Sequence, residues 1–567
     1  MKLHFYGADR CVTGSCHCLE INGKKILVDC GLQQGRDELD NRYLAFAPGN
    51  IDILLVTHAH IDHTGRIPLL VKNGFHGRIL TTRLTADLMK IMLLDSAHIQ
   101  ESDAEYENRK GERAGREHVD PLYTEQDALD VFKYVTTCEY KEKVDLCEGV
   151  SAVFTDAGHL LGSASITLEL EENGVHKTIV FSGDIGNVDQ PIIRDPQLLK
   201  KADYVVMEST YGDRNHTEVW SYTDELAEII DETLGKGGNV VIPSFAVGRT
   251  QELLYFIREI KDQKLVKSTP NFPVYIDSPL AKAATTVFCG DLHGYLDEQA
   301  LELVKDGTHM FTFPNLNLVE SSEESKMLNM DTTPKVIISA SAIPGNEVTV
   351  GRVINELFRK GATVVYDRAD MLHVSGHACQ EELKIIHALT KPRFFVPLHG
   401  EQRMLQIHCQ LAQQMGMDRN HIAIADNGGV IEITGKSMKL SANSVPAGEV
   451  YVDGSGVGDV GAVVMRDRKR LAEDGMVVVV LPIATQDGAL LSPPEIITRG
   501  FIYVKESGDL MKELQNVAMN AADSVTGSRK RGRDDGELRG AVKSAVSSYL
   551  FKNTKRSPMV IPVVTRL

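Results

Sequence analysis

The sequence predicts a protein of the α/β class that is divided into several domains. Its 567 residues exceed what one hydrophobic core usually organises, because domains run to about 100–200 residues. Two patterns give the class: short apolar runs separated by turns at the start of the chain, and strand–turn–helix units from about residue 215 onward. The content of 43% hydrophobic and 25% charged residues is typical of a soluble globular protein.

The first segment is predicted to begin as an antiparallel meander. Asn22-Gly23 lies between two apolar runs, and this dipeptide favours a tight hairpin turn. Residues 68–92 have helical apolar spacing, and the charged stretch 95–130 indicates a solvated helix and loop. Further apolar runs predict strands at 3–6, 16–21, 25–28, 151–154, 165–170, 178–181 and 204–207.

A second domain is expected within the first. Apolar runs near residues 240, 275 and 337 are each followed by a Gly, Ser or Pro turn, and two of these turns lead into helical patterns. After residue 366, polar residues again follow strand ends as they do in the first segment, so the chain is expected to return there. The predicted domains are residues 1–212 and 366–440 for the interrupted domain, 213–365 for the insertion and 446–567 for a small C-terminal domain.

The C-terminal domain has its own alternation of strands and helices. Strands are predicted at 476–483 and 559–564, and a helix at 540–551. The glycine-rich stretch VDGSGVGDVG favours a structural turn over a phosphate-binding loop, because a single glycine-rich turn is weak evidence for an anion site. Ser528–Glu537 has the composition of a mobile surface loop.

The segment HAHIDH, residues 58–63, is the strongest functional signal. It supplies His58, His60, Asp62 and His63 directly after an apolar run that predicts a buried strand. Imidazoles combined with a carboxylate suit zinc or a similar divalent ion. A polar turn with histidines present by chance is the alternative, but three His and one Asp in six residues are improbable in a chain with 19 His.

Other strand ends carry further candidate ligands. His159, Asp184 and His399 each follow a predicted strand, and they complete a set of seven with HAHIDH. Seven ligands suffice for two ions with a shared carboxylate, and two ions can activate water and stabilise the oxygens of a phosphodiester. The residues alone therefore predict a two-metal hydrolase, and a phosphodiester is its most natural substrate.

These residues resemble the successive motifs of the metallo-β-lactamase fold. HAHIDH, His159, Asp184 in FSGD and Asp29 in ILVDCG stand in the motif order of that family. The resemblance implies an αββα sandwich with two Zn²⁺, or Mn²⁺ or Mg²⁺ in activity. It implies that one ion is bound by His58, His60 and His159 and the other by Asp62, His63 and His399, with Asp184 bridging and Asp29 orienting the ligand loop.

The insertion is similar to the β-CASP subgroup, whose members cleave nucleic acids. Glu208 in MEST and His377 in VSGHA match its motifs, which implies that Glu208 supports His377 and that His377 protonates the leaving oxygen. A histidine at this position is typical of the RNA-cleaving members. The resemblance thus implies catalytic roles for Asp62, Asp184, Glu208 and His377.

Candidate substrate contacts lie in the insertion and in the return segment. The phosphate contacts expected are Ser339, Ser341 and the SGHA backbone, which comprises Ser375, Gly376, His377 and Ala378. A simple structural turn is the alternative for these residues. Arg249 is a further candidate phosphate contact, and capping of its own helix or pairing with an acid is the alternative there.

From SASAIPGNE onward the chain is similar to ribonuclease J, whereas VTGSC and MESTYGDR look more like bacterial RNA exonucleases of the same fold. The resemblance implies single-stranded RNA as substrate, RNA processing and decay as the process, and a homodimer or homotetramer formed through the C-terminal domain. FPNLNLVESSEESK stands where ribonuclease J usually carries TGSQGEP, near the pocket for the RNA 5′ end. Exonuclease and endonuclease action therefore both stay open.

Two other function classes are weaker. A non-nucleolytic hydrolase of the same fold needs neither the large insertion nor His377, and an inactive RNA-binding scaffold would lose metal ligands that are all present here. The net charge of −17 argues against non-specific coating of nucleic acid, but it does not exclude a nuclease. No apolar run of about 18 residues and no secretory signal are evident, so a cytoplasmic protein without a membrane span is expected.

Overall fold

The computed structural model describes residues 1–34, 41–112, 118–215, 222–319, 321–327, 334–339, 346–366, 376–434, 437–441, 452–453, 456–457, 462–485, 489–501, 508–526 and 535–567. The chain forms two compact units, Met1–Gly448 and Glu449–Leu567. Among the described helices, none has the length and apolarity that crossing a membrane requires.

The first unit contains an eight-stranded sheet. Its outer strands at one edge come from the end of this unit, so the sheet is completed only after the insertion. Asn22 and Gly23 both have positive φ, 50° and 73°, and they form the predicted hairpin between strands paired antiparallel. In spatial order the strands are Met438–Ser441, Val430–Ile433, Lys2–Gly7, Cys16–Ile21, Lys24–Val28, Ile53–Leu55, Arg78–Thr82 and Val135–Cys138.

A six-stranded sheet lies against the first. Its strand from the return segment, Phe394–Leu398, pairs in parallel with Tyr204–Glu208, which in turn pairs in parallel with Val175–Phe181. The carboxyl ends of these three strands therefore lie at one edge, where loops can present polar side chains. In spatial order the strands are Phe394–Leu398, Tyr204–Glu208, Val175–Phe181, Ala164–Glu172, Val150–Asp156 and Lys143–Cys147.

Alternating side chains build the layers of the first unit. Ile26 and Val28 join the core between the two sheets, while Leu27 faces the opposite side and packs in the core beneath the outer helices. On the second sheet, Val206 points inward and Val205 outward in the same way. Helices on one outer face are Ile67–Lys72, Arg83–Glu112 and Glu125–Asp130, and those on the other are Gln380–Thr390 and Gln402–Gln414. The order helix, sheet, sheet, helix confirms the predicted αββα sandwich.

The inserted segment is a parallel α/β structure, as expected. A three-stranded sheet has the order Val240–Val241, Lys335–Ile337, Thr363–Val365, and a two-stranded sheet pairs Val274–Ile276 with Leu316–Leu318; every pairing is parallel. Its helices are Tyr222–Gly235, Arg249–Asp262, Pro279–Phe288, Glu298–Lys305, Ser322–Met327 and Glu347–Arg359.

The second unit is a small α/β domain. Met476–Ile483 is its central strand, with Glu495–Arg499 antiparallel on one side and Met559–Arg566 parallel on the other. Every second residue of the central strand is buried, and the buried face packs on two helices. The helices are Ala462–Asp474, Gly508–Thr526 and Asp535–Thr554, and two short strands are Val452–Asp453 and Gly456–Val457.

The helical prediction for residues 68–92 was wrong in part. The helix Ile67–Lys72 ends at the Asn73-Gly74 turn, and Arg78–Thr82 is a strand before the long helix Arg83–Glu112 begins. Ile79 and Leu80 fit the helical apolar spacing, but both sheet faces are covered here, so a fully buried strand has no polar alternation that would reveal it. Residues 113–117 and 527–534, from the predicted charged loop and mobile loop, lie outside the described residues.

Candidate active site

HAHIDH leaves the strand Ile53–Leu55 and enters the short helix Ile61–Thr64. Asp29 fixes this loop: its Oδ1 accepts a hydrogen bond from the Thr57 backbone N–H at 2.8 Å, and its Oδ2 accepts from the Thr57 hydroxyl at 2.8 Å. The same Oδ2 lies 2.8 Å from Nδ1 of His63. Asp29 is 2% exposed, and these contacts join it to the loop that carries the candidate ligands.

Close backbone contact holds the same loop from a second side. The Ser15 N–H donates to the Asp62 carbonyl at 2.8 Å, and the Cys30 N–H donates to the His63 carbonyl at 2.8 Å. A Cβ at Gly31 would lie 1.6 Å from the Asp62 carbonyl oxygen, so only glycine allows this approach.

The later candidate ligands arrive from the ends of three strands of the second sheet, each separated from the next by one other strand. His159 follows Val150–Asp156, Asp184 follows Val175–Phe181, and His399 follows Phe394–Leu398. His399 has a φ of 53°, and its N–H donates to the Ala8 carbonyl at 2.8 Å, which ties the return segment to the beginning of the chain. All three side chains are nearly fully buried.

One group of ligand atoms gathers around His60. Its Nδ1 lies 3.1 Å from Nε2 of His58 and 3.2 Å from Nε2 of His159. Oδ2 of Asp184 lies 3.5 Å from the first of these Nε2 atoms and 3.7 Å from the second. Ligands in a tetrahedron about 2.0–2.1 Å from a zinc ion are about 3.3 Å apart, so this group has the dimensions of a metal site.

A second group lies on the other side of Asp184. Nε2 of His63 is 3.2 Å from Nε2 of His399 and 3.3 Å from Oδ1 of Asp184. Oδ2 of Asp62 is 3.4 Å from Nε2 of His399. Each oxygen of Asp184 therefore belongs to a different group, which is the arrangement of a bridging carboxylate.

The charge and hydrogen bonding of these groups fit metal ions. Oδ1 of Asp184 is buried and has no hydrogen-bond partner among the described residues. Burial, with neighbouring histidines, holds the pKa of His58 and His159 well below the ordinary value and so keeps these imidazoles neutral, the form that binds metals. Burial alone would lower the pKa of His63, but the charges of Asp184 and Asp29 raise this pKa well above its ordinary value. The two carboxylates therefore favour positive charge at the position of the His63 ring.

Hydrogen bonds from outside the two ligand groups orient three of the imidazoles toward those groups. The Thr210 hydroxyl lies 3.1 Å from Nδ1 of His399, the Thr57 hydroxyl lies 3.1 Å from Nδ1 of His58, and Nδ1 of His159 hydrogen-bonds to the Gly376 carbonyl. In each case the other ring nitrogen, Nε2, faces the ligand group. Such contacts fix the tautomer and the ring orientation of metal ligands.

His377 and Glu208 lie beside the bridging carboxylate. Nδ1 of His377 is 2.9 Å from Oε2 of Glu208 and 3.9 Å from Oδ2 of Asp184. Oε1 of Glu208 accepts the Ile185 N–H, and its side chain is 1% exposed, whereas His377 is 22% exposed. Burial would lower the pKa of His377, but the charge and hydrogen bond of Glu208 prevail and raise it to about 10.

Sequence reasoning missed a buried hydrogen-bonded chain behind the site. The Ser209 hydroxyl lies 2.8 Å from Nδ1 of His408, whose Nε2 lies 3.2 Å from Nε2 of His387. The Ser209 N–H also donates to the His399 carbonyl at 3.2 Å. His387 and His408 lie in apolar helix faces, and this is the signal that could have indicated buried histidines with a fixed partner.

The predicted substrate contacts differ in position: some are buried away from solvent, some border the candidate ligands, and some lie outside the described residues. Arg249 is 6% exposed, its Nη1 pairs with Glu252 at 2.6 Å, and its Nε donates to the hydroxyl of the fully buried Ser339 at 3.0 Å. This is the acid-paired alternative, and neither side chain faces solvent. Gly376 contacts His159 as described above, and the Ala378 N–H donates to the Ile185 carbonyl at 2.7 Å. Ser341 and Ser375 lie outside the described residues.

Family models match four parts of the chain. They are the Metallo-beta-lactamase superfamily at residues 9–231, the Beta-Casp domain at 250–358, the Zn-dependent metallo-hydrolase RNA specificity domain at 361–424 and the Ribonuclease J C-terminal domain at 463–567. Together these matches extend from residue 9 to residue 567, with gaps at 232–249, 359–360 and 425–462.

Curated relatives include three ribonucleases. Ribonuclease TTHA0252 of Thermus thermophilus is 34% identical over 358 residues, which is 63% of this chain and 75% of the relative. Ribonuclease J 1 of Streptococcus pyogenes is 27% identical, with 96% of this chain and 94% of the relative covered. Ribonuclease J2 of Bacillus subtilis is 25% identical, with 97% and 95% covered.

Proposed function

This chain belongs to the ribonuclease J-like family of metallo-β-lactamase-fold ribonucleases that carry a β-CASP insertion, and from this premise we propose that it is a metal-dependent ribonuclease. Its substrate is single-stranded RNA, whose phosphodiester bonds it hydrolyses in RNA processing and decay. The observation that carries the proposal is Asp184: its two oxygens serve two separate ligand groups, and His377 stands beside it.

The donor sets favour two Zn²⁺ ions. Three imidazole nitrogens in one group and two in the other are ligands that zinc accepts, whereas Mg²⁺ prefers oxygen ligands alone. The first group would be His58, His60, His159 and Asp184, and the second Asp62, His63, His399 and Asp184. Zinc bound there supplies Lewis acidity and activates water for attack on phosphorus. Mn²⁺ or Mg²⁺ can still support activity when the ions exchange.

His377 is proposed as the general acid. Its Nδ1–H donates to Glu208, so Nε2 is the nitrogen that can give a proton to the leaving oxygen. The pKa of about 10 keeps the imidazolium protonated near neutral pH. When the proton leaves Nε2, the buried Glu208 carboxylate retains the ring in place through Nδ1–H, and the leaving oxygen departs as a hydroxyl.

Arg249 and Ser339 are better placed to support the insertion than to bind RNA. The Arg249 guanidinium pairs with Glu252, hydrogen-bonds to Ser339 and donates to the Tyr222 hydroxyl at 2.5 Å, so it ties two helices to the strand end before residue 340. Of the SGHA backbone, we propose Gly376 as the part of the predicted phosphate contacts that borders the catalytic groups, because the Ala378 N–H is already bonded to the Ile185 carbonyl.

The second unit is proposed to mediate self-association into a homodimer or homotetramer. The helices Gly508–Thr526 and Asp535–Thr554 pack on one face of its sheet, and among the described residues of the sheet Ile497, Ile561 and Val563 are 37–40% exposed. An apolar sheet face of this kind fits a second copy of the same chain. Sedimentation velocity of the full chain checks this: a shift toward monomer is expected for Ile561→Glu, and an unshifted monomer in the unaltered chain contradicts it.

One experiment tests the central proposal. The purified chain is incubated with one unstructured RNA, labelled at either end and carrying a 5′ monophosphate, triphosphate or hydroxyl. Hydrolysis that needs the divalent metal is expected, and it should vanish in Asp184→Asn. Mononucleotides released from a 5′-monophosphorylated end indicate an exonuclease, and internal fragments regardless of the end indicate an endonuclease. Retained hydrolysis by the variant would refute the assignment.

A further inference from the structure

An aromatic ring and two guanidinium groups lie at the rim of the site beside His377. Tyr211 follows the end of the strand that carries Glu208, and it is half-buried. Its ring centroid lies 6.0 Å from that of His377, with the two planes at 83°. The ring therefore borders the group that is proposed to protonate the leaving oxygen.

Asp213 holds two arginines next to this ring. Nε of Arg214 lies 2.9 Å from Oδ1 of Asp213, Nη2 lies 3.4 Å from Oδ2, and the guanidinium carbon lies 4.9 Å from the Tyr211 ring centroid. Nη1 of Arg403 also donates to Asp213, and its Nε donates to Glu401 at 2.9 Å. Arg214 and Arg403 are 49% and 53% exposed, whereas Asp213 is 9% exposed.

The segment that carries these groups is firmly braced. The Gln380 N–H donates to the Arg214 carbonyl at 3.1 Å, and its side-chain amide donates to the Gly212 carbonyl at 3.0 Å. Gln380 begins the helix that follows His377, and Arg403 lies in the helix that follows His399. The loop after the strand Tyr204–Glu208 and the two helices that follow His377 and His399 thus position one rim cluster, which consists of Tyr211, Arg214 and Arg403.

The chemistry of this rim cluster suits a nucleotide. Guanidinium forks match phosphate oxygens, and exposed guanidinium and phenol planes are surfaces on which RNA bases stack. Asp213 and Glu401 pair with the two arginines, but both guanidinium groups stay about half exposed. A phosphate can therefore reach their exposed edges while Asp213 keeps its partners, and the two arginines supply local positive charge in a chain of net charge −17.

We propose that the rim cluster binds the RNA nucleotide that carries the leaving oxygen. Tyr211 and the Arg214 plane stack on its base, and Arg214 with Arg403 bind the adjoining phosphates. This assignment rests on the proposed ribonuclease function and names a substrate subsite of that same centre. A subsite here draws the leaving group toward His377 and leaves the metal-binding groups on the other side of the scissile phosphate.

The test measures binding of a fluorescein-labelled, unstructured 20-nucleotide RNA by anisotropy over a range of KCl concentrations. All variants are made in full-length Asp184→Asn, which does not consume the RNA. Arg214→Gln with Arg403→Gln is expected to weaken binding about tenfold and to reduce the slope of log Kd against log salt by about 1.4, the value for two phosphate contacts to a single strand. Arg214→Lys combined with Arg403→Gln should recover half of the slope that the double glutamine variant loses. It should not recover the corresponding affinity, because lysine keeps the charge and loses the stacking plane.

A matched control is Lys143→Gln, which removes an equally exposed, ion-paired cation from a strand on the far edge of the second sheet. It should leave affinity and slope unchanged. In the active chain, Tyr211→Leu should raise KM for the RNA several-fold with a smaller change in kcat, while Tyr211→Phe, which keeps the ring, should raise KM less than Tyr211→Leu does. Thermal unfolding of each variant verifies the fold.

The outcomes separate the two proposals. Normal RNA hydrolysis by the active chain, combined with salt slopes that are the same for the double arginine variant and Lys143→Gln, would overturn the subsite alone. Absence of RNA hydrolysis by the zinc-loaded chain would overturn the ribonuclease proposal itself. A reduced slope together with the KM effect at Tyr211 supports the subsite.

Discussion

Nδ1 of His377 and Oε2 of Glu208 are 2.9 Å apart, although 169 positions separate the two residues in the chain. The acid ends a strand before the insertion, and the histidine begins the return segment after it. The pair therefore joins the parts of the interrupted domain that lie before and after the insertion. Because Glu208 is almost fully buried and His377 is partly exposed, a substrate can reach the ring but not the carboxylate, which supports the proposal that Glu208 acts through His377.

Glu208→Gln is expected to move the alkaline limb of the pH–rate profile to lower pH. Glu208 raises the pKa of His377 to about 10, and without that charge burial lowers the pKa. A general acid is active when protonated, so activity is present below its pKa and lost as pH rises through it. The expected fall in kcat/KM at pH 8.5 is about 10²-fold, measured on end-labelled RNA between pH 6 and 10.

The matched control for this variant is Glu169→Gln, an exposed carboxylate paired with Lys143. It should leave the alkaline limb in place. If Glu208→Gln lowered the rate equally at every pH, the carboxylate would support the fold of the loop and not the protonation of His377.

Asp184→Asn is expected to abolish hydrolysis and to lower the bound zinc. An amide offers one neutral oxygen in place of two charged ones, so it cannot serve both ligand groups. Zinc per chain is measured by plasma mass spectrometry after gel filtration, and circular dichroism checks that the fold is retained. Full zinc content with normal turnover would contradict the bridging role.

Asp29→Asn is expected to weaken zinc binding about 10–100-fold, the usual cost of losing an outer partner of a metal ligand. The carboxylate accepts from Thr57 and orients His63 through the same oxygen, and the amide can reproduce only part of this pattern. Activity should return at high zinc concentration, which a zinc titration of RNA cleavage detects. Asp52→Asn, a carboxylate paired with Lys24 at the surface, is the control that should need no added zinc.

The clustering of the candidate ligands could be predicted from the sequence because strand ends carry them in recognisable motifs. HAHIDH, His159, Asp184 and His399 all follow strand ends, and the parallel direction of Val175–Phe181 and Phe394–Leu398 brings Asp184 and His399 to one edge of the second sheet. The pairing of Arg249 with Glu252, three residues later in the same helix, is local and was one of the alternatives. The burial of Arg249 could not be predicted, because Ser339 lies 90 positions away and is brought to Arg249 by the packing of the insertion. The strand Arg78–Thr82 was missed because burial on both faces removes the alternation that marks a strand.

Loss of the buried His408 is expected to impair the site from behind. His408 is fully buried, and it joins the Ser209 hydroxyl at 2.8 Å to His387 at 3.2 Å. In His408→Leu both partners lose a buried hydrogen bond, which costs about 1–3 kcal/mol for each unsatisfied group. Ser209 lies between Glu208 and Thr210, so its release should loosen the contacts to both His377 and His399.

The expected result for His408→Leu is a lower melting temperature together with a fall in kcat that exceeds any change in KM. KM should change little because Gln380 holds the segment of the rim cluster at Gly212, next to Tyr211, independently of His408. Differential scanning fluorimetry and steady-state cleavage of labelled RNA measure the two effects. His408→Gln, whose amide can still bond to the Ser209 hydroxyl, should recover part of the kcat. If the glutamine variant recovered part of the melting temperature but matched the leucine variant in kcat, the hydrogen bonds of His408 would stabilise the fold without positioning Glu208 and His399.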